Sequence, residues 1–229
     1  MTPTELSAIF GVEIAEPQLF LTALTHKSYA NEHPSVEHNE RLEFLGDAVL
    51  ELAVTEHLFR QFPNEPEGKM TKFRSALVSG VSLAAVMRKL DISRHIRLSR
   101  GEDASGGREK NPILANVFEA LIGALYLTAG MPEVEQFLGR RLFPRLPEVV
   151  EKHLYVDPKS GFQEWAQEEL AITPEYRVLE ESGPDHNKVF RTAVFVGEEQ
   201  MGVGEGSSKQ KAEVAAAEDA LARLVEASD

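Results

Sequence analysis

The sequence predicts an all-α domain followed by a smaller α+β domain. Before residue 154, apolar residues recur at intervals of three and four, which is the helical period, and no segment alternates as a strand does. Beyond that residue the period changes to two, most clearly between Phe190 and Val196. We therefore expect one domain over residues 1–154 and a second, with the order α-β-β-β-α, over residues 155–229.

The elements of the first domain follow from apolar spacing and from proline and glycine punctuation. Asn111 is expected to cap a long helix that ends before Gly130, with Pro112 at its first position, because proline is favoured there. The polar, glycine-containing segment 99–110 is predicted to be a mobile loop. The predicted helices cover residues 4–10 with Thr4 as cap, 17–24, 39–60, 69–79, 82–90, 111–129, 132–143 and 148–153.

The elements of the second domain follow the change of period. A helix is expected over residues 161–170, around the single tryptophan. Three strands are expected over residues 175–181, 188–196 and 200–204, with a turn at Gly183-Pro184. Serines 207 and 208 precede an alanine-rich helix that runs to about residue 225.

Composition limits the function classes. The 229 residues contain no cysteine, which excludes disulfides and thiolate metal ligands and fits a cytoplasmic protein. No run approaches 18 apolar residues and the first ten residues lack a secretory pattern, so neither a membrane span nor a signal peptide is expected. The net charge is −13, with 17 basic and 21 acidic residues up to position 154 and 7 and 16 after it. This charge argues against indiscriminate nucleic-acid binding, and any such contact in the second domain would need a local basic patch.

The run from Asn39 to Asp47 carries the strongest chemical signal. Glu40, Glu43 and Asp47 are spaced three, four and seven apart, which stacks three carboxylates on one stripe of a helix. Gly46 lies inside the same helix at a cost of about 1 kcal/mol relative to alanine, which predicts a close backbone approach.

A solvated acidic face is the ordinary explanation of such a stripe. The carboxylates alternate here with Leu42, Phe44 and Leu45, however, and a second helix carries Asn116 and Glu119 three residues apart. Oxygen ligands from two helices favour a site for a hard cation such as Mg²⁺.

The run from Asn39 to Asp47 resembles the signature helix of ribonuclease III, the double-stranded-RNA endonuclease. The run from Ile113 to Leu125 is similar to the other carboxylate-bearing helix of that family. The C-terminal region resembles a double-stranded-RNA-binding domain, so that the resemblance covers nearly the whole chain. It implies Mg²⁺-dependent hydrolysis to 5′-phosphate and 3′-hydroxyl ends, with Mn²⁺ as a substitute, in rRNA or mRNA processing by a homodimer.

The resemblance also implies roles for individual residues. Metal ligation is expected at Glu43, Asp47, Asn116 and Glu119, of which Asp47 and Glu119 are the catalytic pair. Auxiliary places beside the site are expected for Glu40 and Glu67, and Phe44 is similar to an interface aromatic of the dimer. His26 is expected to hold a helix–loop junction. RNA binding in the second domain is expected at Gln163, Gln167, His186, Lys188, Ser208, Lys209 and Lys211.

Two alternatives belong to other classes. A di-iron helical protein requires Glu-x-x-His repeats, and none of the seven histidines has a glutamate three residues before it. A double-stranded-RNA-binding protein that cleaves weakly or not at all is the serious rival. Asn116 favours this rival, because the family pattern has aspartate at this position.

Overall fold

The computed structural model describes residues 1–151, 155, 157–184 and 188–228. The chain divides into two compact units, Met1–Tyr155 and Val156–Asp229. The domain boundary predicted between residues 154 and 155 adjoins Leu154, which lies outside the described residues, as do residues 152–153 of the last predicted helix.

The first unit is built from helices, as the apolar spacing predicts. Its short 3₁₀ turns are Ser93–His95, Gly107–Glu109 and Phe143–Arg145. The α-helices are α1 (Pro3–Phe10), α2 (Gln18–Ala23), α3 (Lys27–Glu32), α4 (Glu40–Gln61), α5 (Glu67–Leu77), α6 (Gly80–Leu90), α7 (Arg100–Ala104), α8 (Asn111–Ala129), α9 (Met131–Arg141) and α10 (Leu146–Glu151).

Helices α4 and α8 pack in direct backbone contact at the centre of this unit. A Cβ atom at Gly46 would lie 1.7 Å from the carbonyl oxygen of Glu119, and one at Gly123 would lie 2.3 Å from that of Leu42. Only glycine fits at either position, so the close approach predicted at Gly46 is confirmed. Helix α8 is long and apolar enough to cross a membrane, but 61% of its apolar window is buried inside the protein, which is typical of a core helix.

Three local predictions in the first unit are wrong. Asn111 does not cap α8 but is its first residue, and Lys110 holds the cap position. Thr2, rather than Thr4, caps α1, because the Thr2 and Glu5 side chains close a reciprocal capping box. The segment 99–110 contains α7 and a 3₁₀ turn instead of a loop. Ser99 caps α7, and the Arg108 guanidinium donates to three backbone carbonyls, including that of Ile96 at 2.6 Å. Lone polar residues in the sequence do not reveal that they share such a network.

The second unit is a three-stranded antiparallel sheet packed against helices. Helix α11 (Pro158–Leu170) precedes β1 (Glu175–Ser182), β2 (Val189–Val196) and β3 (Glu199–Gly206), and α12 (Lys209–Ser228) follows. The sheet order is β1-β2-β3. The all-α region and the α-β-β-β-α order are therefore both confirmed.

Helix α12 also approaches backbone closely. A Cβ atom at Gly204 of β3 would lie 2.2 Å from the amide nitrogen of Ala216, and one at Gly202 would lie 2.4 Å from the Ala216 carbonyl oxygen. The alanines of α12 and the glycines of β3 thus allow the helix to lie directly on the strand. Phe162 and Ala166 of α11 complete this small core.

Candidate active site and RNA-binding surface

The acidic stripe lies on the N-terminal half of α4. Glu40 and Asp47 are exposed, whereas Glu43 is half-buried. The Glu40 Oε1 atom accepts a hydrogen bond from Lys27 Nζ at 2.8 Å, and this bond lowers the pKa of Glu40 below its usual value. Glu40 is therefore ionised, and the positive charge of Lys27 balances its negative charge.

Glu43 connects the stripe to α8. Its carboxylate is hydrogen-bonded to the Asn116 side chain. Burial, followed by the charge of Glu40, raises the pKa of Glu43, and the bond from Asn116 only partly opposes this rise. Two of the predicted ligands are thus in contact across the helix pair.

Glu119 is the most perturbed acid of the site. Burial and then the charges of Asp47, Glu43 and Glu51 raise its pKa to about 7. The direct backbone contact between α4 and α8 places Glu119 within range of three carboxylates on the facing helix. The structure therefore brings together the four residues predicted as ligands.

The donor set fits a divalent cation. It offers carboxylate and amide oxygens and no nitrogen or sulfur ligand, which is the chemistry that Mg²⁺ and similar ions prefer. Among the described residues, no three Asp, Glu or His side chains form a ready-made cage. An ion that retains several waters needs no such cage. Burial is the main cause of the raised pKa values of Glu43 and Glu119, and the charges of neighbouring carboxylates raise both pKa values further.

Sequence reasoning missed Glu51 and Arg74. Glu51 lies one turn beyond Asp47 and continues the stripe, and its charge acts on Glu119. Arg74 of α5 forms an ion pair with Glu51, with 2.8 Å between Arg74 Nε and Glu51 Oε2. Arg74 also donates to Thr55 Oγ1 at 2.9 Å. The spacing of four from Asp47 was a visible signal for Glu51, but nothing local pointed to its partner.

Glu67 does not join the Glu43–Asn116 contact. It accepts a hydrogen bond from Thr71 Oγ1 at 2.8 Å at the start of α5. It lines a cavity of about 150 Å³ together with Thr55 and Arg74. Since Arg74 also binds Glu51, Glu67 borders the far end of the acidic stripe.

His26 has the predicted structural position. It precedes α3, and its Nδ1 atom accepts from the Ser28 amide at 3.2 Å and lies 2.8 Å from Ser28 Oγ. The Ser99 amide donates to the same hydroxyl at 3.0 Å. Burial lowers the pKa of His26, so the ring is neutral at physiological pH.

Phe44 lies on the surface next to the stripe. Its side chain is 83% exposed, which agrees with the prediction that Leu42 and Leu45 face inward instead. It lines a wide groove of about 780 Å³ that also contains Leu19 and Leu127. An exposed aromatic beside an apolar groove is typical of a contact surface. Its place in a dimer interface stays a prediction.

The predicted RNA-binding side chains of the second unit are largely exposed. Gln163 and Gln167 lie one turn apart on α11, and Lys209 and Lys211 lie in the first turn of α12. Ser208 Oγ accepts from the Lys211 amide at 3.3 Å and so caps α12. Lys188 Nζ lies 2.7 Å from Glu181 Oε1. His186 lies outside the described residues.

Comparison with known proteins decides the family. Residues 16–146 match the model of the family described as ribonuclease-III-like. The chain belongs to the ribonuclease III family. Residues 158–224 match the double-stranded RNA binding motif. The resemblance predicted from residues 39–47 and 113–125 is therefore confirmed.

Curated relatives cover nearly the whole chain. Ribonuclease 3 of Thermobifida fusca is 48% identical over 216 residues, which span 94% of this chain and 89% of the relative. Ribonuclease 3 of Anoxybacillus flavithermus is 47% identical over 216 residues, spanning 93% and 90%. A solved nuclease domain of ribonuclease III from Campylobacter jejuni, described in terms of flexibility in a region of dimer formation, is 38% identical, with a TM-score of 0.59. It covers 64% of this chain and 99% of that one.

Membership of the ribonuclease III family establishes the activity class. The chain is an endoribonuclease that acts on double-stranded RNA, and the family depends on divalent metal ions. These comparisons do not give better support to the alternative, a double-stranded-RNA-binding protein that cleaves weakly or not at all. The oxygen-rich cluster between α4 and α8 is the part of the structure whose chemistry suits this activity.

Proposed function

We propose that the chain hydrolyses double-stranded RNA with Mg²⁺ held by Glu43, Asp47, Asn116 and Glu119. The observation that carries this proposal is the convergence of carboxylates from α4 and α8 around Glu119, whose pKa is raised to about 7 by burial and then by the charges of Asp47, Glu43 and Glu51. Mn²⁺ serves as a substitute, because it prefers the same oxygen ligands and binds them more tightly than Mg²⁺ does.

Asp47 and Glu119 are the residues to which we assign catalysis. A bound divalent ion supplies charge neutralisation at the scissile phosphate and a bound water acidified toward neutral pH. Asn116 holds the Glu43 carboxylate through their hydrogen bond. Glu40 is occupied by Lys27 and has an orienting role, and Glu67 shapes the far end of the stripe. Hydrolysis yields 5′-phosphate and 3′-hydroxyl ends.

The second unit supplies affinity for the duplex. Gln163 and Gln167 suit contacts to 2′-hydroxyls of an A-form minor groove, which are specific for shape rather than sequence. Lys209 and Lys211 stand at the N-terminus of α12, where free backbone amides favour phosphate. Ser208, Lys188 and His186 complete the proposed RNA surface.

We assign the active form to a homodimer with Phe44 at the interface. The exposure of Phe44 beside an apolar groove supports this, and so does the dimer-forming region described for the nuclease domain from Campylobacter jejuni. A two-fold dimer would present two sites to the opposite strands of one duplex. Processing of rRNA and mRNA in the cytoplasm is the role that this activity and the absence of cysteine fit.

Asn116→Asp tests the metal site directly. Labelled duplex RNA is incubated with the parent and the variant over a range of Mg²⁺ and Mn²⁺ concentrations. Aspartate restores a negative charge at the ion, so the Mg²⁺ concentration for half-maximal cleavage should fall by about tenfold or more. Asn64→Asp, in the exposed turn before α5, is the matched control and should leave the titration unchanged.

The outcomes separate the alternatives. Superimposable titrations of parent and Asn116→Asp would remove residue 116 from the site and leave Glu43, Asp47 and Glu119. Intact duplex binding without cleavage in either metal would instead favour the non-cleaving protein.

A further inference from the structure

Asn39 has an unusual position at the start of α4. Asparagine is a favoured N-cap because its side-chain oxygen usually accepts from a backbone amide of the first turn. The Asn39 side chain makes no such bond, and its backbone is already helical. The residue is 1% exposed, and its Nδ2 atom is buried without a hydrogen-bond partner among the described residues. A buried donor left unpaired is costly, so an acceptor on a bound group or a water would stabilise this amide.

The Asn39 side chain lines a cavity of about 260 Å³ beside the proposed metal site. Glu40, Glu43 and Asn116 border the same cavity, together with His26 and Lys27. The volume exceeds that of a single water, which occupies about 30 Å³ in the liquid. A substrate group that occupies this cavity therefore lies beside Asn39 as well as Glu43 and Asn116.

The charges around this cavity select the kind of group. Two carboxylates face one lysine, and Lys27 is already paired with Glu40 at 2.8 Å. His26 is neutral, since burial lowers its pKa. A phosphate oxygen would meet excess negative charge here, whereas a hydroxyl accepts from Asn39 and donates to a carboxylate at the same time. In RNA, the ribose 2′-hydroxyl is such a group.

We propose that Asn39 and Glu40 bind a ribose 2′-hydroxyl of the strand being cut. Asn39 donates a hydrogen bond to the hydroxyl oxygen, and the hydroxyl donates a hydrogen bond to the Glu40 carboxylate. The inference rests on the proposed metal site, because that site places the substrate strand next to the cavity. It makes Asn39 a residue that distinguishes RNA from DNA within the nuclease unit. A deoxyribose strand would leave the Asn39 amide unpaired, and sites built to bind a hydroxyl reject analogues that lack it.

A double-mutant cycle with substrate and protein tests the proposal. Duplex RNAs with a single 2′-deoxy substitution at each nucleotide flanking the cut are compared with the all-RNA duplex. One of these substitutions should lower kcat/KM of the parent by about 3- to 10-fold, the range of a single hydrogen bond. In Asn39→Asp, which keeps the shape but loses the donor, the same substitution should have less than about a twofold effect.

Controls distinguish a lost contact from a damaged fold. Asn31→Asp adds the same charge at an exposed position of the same cavity and should retain the deoxy effect of the parent. Asn39→Ala, whose side chain has neither a donor nor an acceptor, serves as a second variant if Asn39→Asp lowers the melting temperature. A deoxy effect that persists unchanged in both Asn39 variants, or a parent insensitive at every flanking nucleotide, overturns the proposal.

Failure of the metal site has a different signature. A parent that cuts no duplex in Mg²⁺ or Mn²⁺ contradicts the proposed metal site, whatever residue 39 does. The same cycle is then run on duplex binding affinity. Coupling between the 2′-deoxy substitution and Asn39 in binding would support the hydroxyl contact, and its absence would reject it.

Discussion

Both units contain a direct backbone contact between two packed elements, but the contact has a different functional consequence in each. In each, glycines allow one backbone to touch another: Gly46 and Gly123 between α4 and α8, and Gly202 and Gly204 between β3 and α12. In the nuclease unit this contact brings acidic side chains of facing helices together. In the RNA-binding unit it joins a sheet to an alanine-rich helix, and those proposed RNA-binding side chains that the structure describes are exposed or half-buried.

This difference between the two units indicates in which of them functional side chains also affect stability. In the nuclease unit, burial and then the charges of neighbouring carboxylates raise the pKa of Glu119 to about 7, so the ionised form of this acid lowers the stability of the unit. In the second unit, the side chains of Gln163 and Lys209 are exposed. We expect substitutions in the first to alter chemistry sharply and those in the second to alter affinity gradually.

The largest effect is expected from removing a carboxylate of the cluster. Glu119→Gln or Asp47→Asn should lower the cleavage rate at saturating RNA by at least about 100-fold, because losses outside the direct ligands already cost 10–100-fold. Gel-shift binding should remain close to that of the parent. Glu109→Gln, on the exposed turn before α8, is the control and should cut normally. Equal losses of binding and cleavage would contradict the separation of roles.

Glycine substitutions compare the two backbone contacts. Gly46→Ala should lower the free energy of unfolding of the nuclease unit by about 3 kcal/mol, the upper range for overpacking, because its Cβ would overlap the Glu119 carbonyl. Gly204→Ala should destabilise the second unit and weaken RNA binding without a comparable loss of chemistry. Gly139→Ala in α9 has open space and should stabilise slightly. Chemical denaturation followed by circular dichroism measures all three, and a neutral Gly46→Ala would contradict the contact.

A smaller effect is expected from the basic patch of α12. Replacing Lys209 and Lys211 with alanine should raise KM for duplex RNA and leave kcat unchanged. The slope of log affinity against log salt should become shallower by about one unit per lysine that contacts phosphate. Arg223→Ala, which removes a cation paired with Asp219 near the other end of the helix, should not change the slope. An unchanged slope in the double variant would place phosphate contacts elsewhere.

The smallest effect concerns pH in the absence of divalent metal. The pKa of Glu119 is about 7 in the folded protein, against the ordinary glutamate value of 4.5, so the folded state binds the proton more tightly than the unfolded chain does. This contribution to stability is complete below about pH 4.5 and is lost as the pH rises toward and through 7. Parent and Glu119→Gln melting temperatures should therefore diverge over this interval, with the parent falling more. Added Mg²⁺ should reduce the divergence, and parallel curves would contradict the raised pKa.

Local sequence patterns were sufficient for most of the fold. The helical period of α4 and α8 and the alternation around Val194 arise because apolar side chains recur where an element faces the core. This recurrence can be read directly from the order of residues in the sequence. The segment 99–110 was predicted wrongly, because α7 depends on Arg108 and Glu102 finding partners across a loop. Networks of that kind leave no periodic trace.

The sequence by itself determined the two-unit plan, the acidic stripe and the family, because each is a matter of residue order along the chain. Only the tertiary structure decided which side chains meet. It joined Asn116 to Glu43, Arg74 to Glu51 and the backbone of Gly46 to that of Glu119. It also buried the Asn39 amide beside a cavity with no hydrogen-bond partner in the part of the chain that the structure describes. Such contacts depend on distances between elements far apart in the chain, and packing alone sets those distances.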